Sequence, residues 1–250
     1  MAGAAQGYTR RSFVATRGAQ RVFVKLDTDV AILRRLAELG VAPEVLADGV
    51  LDGRAFVVQE WVSGRHPERA WFGGHHRDWA DVVATYQADA TLTALLGERP
   101  LKASSYAADL VERSRGAAVG EFAHRLRDAI PIDADAHAAV PTHGDPNASN
   151  FIVPRRHPYV VDWDDAALAD PMRDIGQILW WYVPPAQWPH TLDRWHLELD
   201  DALEHRLHWW VAAESLDVAL RLSADGHHAD AEAFATDARA ALEHRPNPRA

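Results

Sequence analysis

Three oxygen-bearing side chains stand out by type and spacing. The segment His143-Gly144-Asp145-Pro146-Asn147-Ala148-Ser149-Asn150 places a carboxylate and an amide five positions apart among turn formers. Asp162 follows seventeen positions after Asp145, at the end of the apolar run Tyr159-Val160-Val161. Such a set suits phosphoryl transfer. One carboxylate accepts or orients an attacking hydroxyl, while an amide oxygen and a second carboxylate at a hairpin mouth hold magnesium on nucleotide phosphates. Taken singly, each residue is a turn former; the three together make that the poorer account.

The elements that must position them read as two styles of chain. Arg11 to Thr16 and Arg21 to Leu26 predict a hairpin around Arg17-Gly18-Ala19-Gln20. Asp29 to Leu39 predicts a helix, capped by Thr28 and ended by Gly40 with Pro43. Val45 to Leu51 and Arg54 to Trp61 flank Asp52-Gly53, a second hairpin. After Ser63-Gly64-Arg65 the pattern turns helical: Trp79 to Leu96, and Tyr106 to Ile130 with weak points at Gly116 and Gly120. Phe151 to Val153 and Tyr159 to Val161 predict a small hairpin, followed by helices at about Met172 to Tyr182, Leu192 to Ser223 and His228 to Glu243. This is an α+β chain with two lobes. An antiparallel-sheet lobe with one helix spans 1–62, a larger, mainly helical lobe spans 63–250, and Val62 to Gly64 is the candidate hinge.

Composition narrows the function. The 250 residues include 26 basic and 36 acidic side chains, a formal charge of −10, which argues against a nucleic-acid binder and suits a cationic or neutral small partner. Cysteine is absent, which removes disulfides, thiolate catalysis and zinc–thiolate sites. No signal peptide or membrane span is legible, so the expected compartment is the cytoplasm, with no membrane partner. His75-His76 and His227-His228 invite a metal reading, but adjacent histidines point apart on regular elements.

The order H-x-D-x-x-x-x-N, then a hairpin, then Asp, is shared with the protein-kinase catalytic loop. The stretch from Thr142 to Val183 resembles the catalytic core of the aminoglycoside phosphotransferase and choline kinase family, and a looser likeness extends back to about Thr9. The resemblance implies a protein-kinase-like fold. It implies Asp145 as catalytic base, Asn150 and Asp162 as magnesium ligands, and Asp174 and His143 as structural supports of the loop. Arg21 to Lys25 resembles the strand bearing the phosphate-binding lysine, which makes Lys25 that residue; lysine occurs elsewhere only at Lys102. Asp29 falls where the family holds that lysine with a carboxylate, with Asp27 and Glu38 as rivals. Gln59 and Trp61 fall where backbone groups bind adenine. Asp164 and Asp165 would add negative charge on the acceptor side. Late-helix tryptophans would be core or a cationic-amine surface.

The implied reaction moves the γ-phosphoryl group of ATP, or GTP, with magnesium, onto a hydroxyl of a small cationic molecule. An aminoglycoside or related antibiotic is the first candidate acceptor, and choline-, thiamine- or homoserine-like acceptors come next. Rivals are a non-catalytic nucleotide-binding module and a metal-dependent hydrolase built on His143, Asp145 and Asp162. A monomer or homodimer is expected. Two departures matter. The only glycines before the first hairpin are Gly3 and Gly7, so no clean glycine-rich phosphate loop is present. Asp170-Pro171 comes eight positions after Asp162, which leaves no room for an activation segment.

Overall fold

The computed structural model describes residues 11–97, 100–154 and 157–249; Gly3 and Gly7 lie outside them. β1 (Ser12–Arg17) and β2 (Gln20–Leu26) form the first hairpin. α1 (Val30–Glu38) follows, and β3 (Val45–Leu51) and β4 (Arg54–Glu60) form the second hairpin. The sheet order is β1-β2-β4-β3, with all neighbours antiparallel. The register sets Lys25 between Ser12 of β1 and Val57 of β4, and this central place buries it to 4% exposure. Leu33 and Leu36 of α1 are buried in the core. Its cap is Asp29 rather than Thr28: the carboxylate accepts from the amides of Ala31 and Ile32, two of the donors a helix start leaves unpaired.

The rest is mainly helical. α2 (Arg69–Gly74) was not foreseen. The helix expected from Trp79 to Leu96 is a pair, α3 (His76–Gln87) and α4 (Ala90–Leu96), because Asp89 caps a new start by accepting from the amide of Leu92. Tyr106 to Ile130 likewise divides into α5 (Ala103–Arg113) and α6 (Gly120–Asp128), with Gly116 in the break. β5 (Val140–Thr142), β6 (Phe151–Ile152), β7 (Tyr159–Val160) and β8 (Ala167–Ala169) come next. β6 pairs with β7 as the expected hairpin, and β5 pairs with β8. Three-residue strands carry too few alternations to be legible.

α7 (Met172–Tyr182) spans the expected residues. α8 (Trp188–Leu192) and α9 (Asp201–Ala224) replace the single helix predicted from Leu192, and α10 (His228–Leu242) packs along α9. Residues 206–217 of α9 are buried without a break, the mark of a helix enclosed on all sides. Glu214 is therefore in the interior. Trp180, Trp209 and Trp210 are core residues, while Trp181 and Trp195 are half-buried.

One hydrophobic cluster runs through both lobes, from Leu36 and Val57 to Trp79, Ile175 and Trp209. The lobes are also stitched by the Val160 amide on the Val41 carbonyl (2.8 Å) and by Arg35 of α1 on Asp89 (2.6 Å). Between them Gly64 packs closely: a Cβ there would lie 2.5 Å from Ile152 Cγ2. No helix among the described residues is long and apolar enough to cross a membrane.

Candidate active site

The loop after β5 is held from beneath by one carboxylate. Asp174, in the first turn of α7 and fully buried, accepts from the His143 amide (2.7 Å), the Gly144 amide (2.9 Å) and the Tyr86 hydroxyl (2.8 Å). A carboxylate suits that position because the helix start is electropositive. Burial and the neighbouring Asp174 push the Tyr86 phenol well up, so it stays a donor. His143 is a strut. Its Nδ1 accepts from the Asp145 amide (3.1 Å), so Nε2 carries the proton and donates to the Val161 carbonyl (2.9 Å). The imidazole thereby joins the loop to the residue before Asp162. Gly144 has φ 88°, and a Cβ there would lie 2.5 Å from an Arg173 guanidinium nitrogen and 2.7 Å from the Asp165 carbonyl. Only glycine meets both conditions.

The loop presents Asp145. Its Oδ1 accepts from the Asn147 side-chain amide (2.8 Å) and its Oδ2 from that of Asn150 (3.2 Å). Asn150 also donates to the Asp145 carbonyl (2.8 Å), so its nitrogen is committed to the loop. The Tyr182 hydroxyl accepts from the Ala148 amide (3.0 Å), and Gln177 donates to the Gly144 carbonyl (3.0 Å). Sequence reasoning gave no role to Asn147, Tyr86, Gln177 or Tyr182. Asn147 lay inside the quoted segment, while the other three reach it only through tertiary packing.

Asp162 has a left-handed backbone, φ 69° and ψ 60°. This turn aims two carboxylates at one cation: Lys25 Nζ lies 2.6 Å from Asp162 and 2.8 Å from Asp164. Two expectations change. Asp29, expected to hold Lys25, spends its carboxylate on the α1 cap. Asp164, expected on the acceptor side, shares the lysine. Asp165 pairs with Arg221 (2.9 Å) and, like Asp164, does not line the pocket beside Asp145. Of the two adenine candidates, Gln59 sits inside the ladder opposite Phe23 and Val45, its side chain on the Pro43 carbonyl (3.2 Å). Trp61 lies one residue past the end of β4.

Asp145 opens onto a pocket of about 460 Å³ between the loop and helices α7, α9 and α10. Trp181, Glu214, Asp225 and Phe234 contribute to its lining. The Trp181 and Phe234 ring centroids are 5.7 Å apart, and the Arg249 guanidinium lies 4.5 Å and 4.6 Å from them. Glu214 is paired with Arg173 (2.7 Å), which also donates to the Asp165 carbonyl (3.1 Å). Burial pushes Glu214 up to about 7 against the pull of Arg173. His75 stacks on Trp71, and His76 meets His190 edge-on.

A model of the phosphotransferase enzyme family matches residues 5–210. Solved structures share the fold at low identity. A choline/ethanolamine kinase family protein from Mesorhizobium loti superposes with a TM-score of 0.72 at 18% identity, covering 97% of this chain and 88% of its own. The choline kinase LicA from Streptococcus pneumoniae gives 0.74 at 14%, covering 98% and 94%. A thermostable mutant of the aminoglycoside phosphotransferase APH(4)-Ia, in its apo form, gives 0.72 at 16%, covering 97% and 94%.

Proposed function

The chain belongs to the phosphotransferase enzyme family, and from that premise we propose that it transfers the γ-phosphoryl group of ATP, or of GTP, to a hydroxyl of a small cationic molecule. The observation that carries this reading is the setting of Asp145. Two amides fix its carboxylate at the edge of a 460 Å³ pocket. From the same loop, Asn150 leads into the β6–β7 hairpin, and two residues past it Asp162 meets Lys25.

In this reading Asp145 orients the acceptor hydroxyl and takes its proton late, since a loose transition state asks little basicity of it. Lys25 sets its ammonium against the phosphates. The residues present fit magnesium: Asn150 Oδ1, Asp162 and Asp164 are hard oxygen donors, and one lysine leaves their charge in excess. Asn150 and Asp162 would hold the ion, which when bound neutralises charge on the nucleotide phosphates. The sheet lobe, 1–62, would cover the nucleotide, with the Trp61 backbone on adenine. The lobe from 63 onward would carry catalysis and the acceptor.

The Trp181–Phe234 pair supports a cationic acceptor, because it already attracts the chain's own guanidinium. Asp225 adds negative charge to the same lining. Aminoglycosides come first as acceptors, which would make the role antibiotic resistance. Amino alcohols such as choline come second, which would make it metabolic. Nucleoside-diphosphate release with magnesium and ATP or GTP, measured against a panel of both classes, tests the reading. Acceptor-dependent release is expected, reduced ~10²–10⁴-fold in Asp145→Ala, with the circular dichroism spectrum unchanged. Near-full activity in that variant would sink the mechanism. Nucleotide binding with no acceptor-stimulated release across the panel would favour a nucleotide-binding module instead.

A further inference from the structure

A cavity of about 770 Å³ lies apart from the one beside Asp145. The two share only Tyr182 among their lining residues. At its wall stand three side chains that the phosphotransfer reading does not use. Glu204 and His208 are four residues apart on one face of α9. His244 comes from the turn after α10, where its φ of 53° swings the chain back toward α9. One ligand atom from each of the three lies within 4.8 Å of the other two, and His208 Nε2 is 3.8 Å from the Glu204 carboxylate.

The burial of His208 needs an explanation. His208 is 3% exposed, and the Glu204 carboxylate, 3.8 Å from its Nε2, stands beyond hydrogen-bond reach. Beside it, the His208 and His244 rings stack 4.4 Å apart at 20°, bringing two imidazoles together with a carboxylate alongside. Two neutral imidazoles and one carboxylate are the donor set of an open zinc site, which keeps its fourth position for water or a ligand. Among the described residues, this is the one group of three histidine or carboxylate side chains gathered within 4.8 Å.

We propose that Glu204, His208 and His244 bind a divalent transition-metal ion of the zinc type, with its open position facing the 770 Å³ cavity. Zinc–nitrogen distances of about 2.0–2.1 Å require donors closer together than they stand here. His244 would supply the movement, because it is exposed, follows the helix end and is held only in a ring stack against α9. The ion would pin the segment after α10 to α9. That same segment carries Arg245, whose carbonyl accepts from Trp180 (3.2 Å), and Arg249, which lies against Trp181 and Phe234.

The test uses untagged full-length protein, stripped with a chelator and titrated with Zn²⁺ by calorimetry in the absence of nucleotide. Co²⁺ absorption serves as a second reading of the geometry. One equivalent of Zn²⁺ should bind, and Co²⁺ should give the intense visible bands of a four-coordinate site. His244→Ala and Glu204→Ala should each weaken binding by more than the ~10–100-fold typical of losing an outer-shell partner. His228→Ala, exposed at the start of α10, should leave it unchanged. Zn²⁺ should also raise the melting temperature of the parent protein and not of His244→Ala, whose exposed side chain can be removed without harm to the fold. Absence of a one-equivalent site in the parent protein, or affinity that survives either substitution, would overturn the proposal.

Discussion

Asp145 and Lys25 are held in opposite ways, the carboxylate by amides and the ammonium by carboxylates. The Asn147 amide fixes Asp145 Oδ1 without touching the nucleotide-side residues. Hydrogen bonds to charged groups contribute about 1.5–3 kcal/mol. Asn147→Ala should therefore lower kcat roughly 10–100-fold, with the nucleotide KM nearly unchanged, as steady-state kinetics would show. Lys25→Met acts on the other side. Asp162 and Asp164 have side chains 57% and 42% exposed, so water takes over when the ammonium goes and the fold survives. What is lost is the cation proposed for the phosphates, so the nucleotide KM should rise by about tenfold or more, by the same charged hydrogen-bond scale. An unchanged nucleotide KM would remove Lys25 from the proposed site.

At the scale of elements, α7 does two jobs. Its Asp174 carries the loop, and its Arg173 reaches Glu214 of α9. Asp174→Asn keeps the shape but turns a donor toward one of the loop amides. That leaves a buried N–H unpaired, at about 1–3 kcal/mol, visible as a lower urea midpoint together with reduced kcat. The Arg173–Glu214 link gives a pH signature. Glu214 has a folded value of about 7, above its ordinary 4.5, because of burial. The folded state then binds more protons than the unfolded one between those values. Its contribution is complete below about 4.5 and is lost as pH rises toward 7. Between pH 5 and 7 the parent protein should lose more stability than Glu214→Gln, and equal slopes in urea unfolding would contradict this. These elements also show what a sequence can disclose. The loop from His143 to Asn150 and helix α7 were legible because their logic is local: turn formers in one, an apolar period in the other. Lys25's true company was not. It depends on the left-handed turn at Asp162, which brings Asp164 round to the lysine and leaves Asp29 free to cap α1. The break at Asp89 was hidden for a related reason: the apolar period runs on through it, and the residue's use as a cap emerges only with the fold.

Across the whole molecule, the relation of the two lobes rests on a shared core and a few polar ties, of which Asp89 is the most economical. It caps α4 through the Leu92 amide and pairs with Arg35 of α1. The Arg35 hydrogen bond is the main reason its carboxyl is held below the usual range. A carboxylate with a depressed folded value stabilises above its unfolded value, and that contribution is lost as pH falls through the folded one. The two roles can be separated. Arg35→Ala removes the inter-lobe pair and spares the cap. Asp89→Ala removes both, with the cap alone contributing about 0.5–2 kcal/mol. Asp89→Ala should therefore be the less stable variant in urea. Both should change how nucleotide binding protects the α1 amides from hydrogen exchange, because a sheet lobe with a looser tie samples more open arrangements. If Arg35→Ala leaves that protection untouched while Asp89→Ala reduces it, the pair does not couple the lobes. The effect of Asp89 would then be confined to α4, and the common core running from Leu36 to Trp79 would carry the lobe relation by itself.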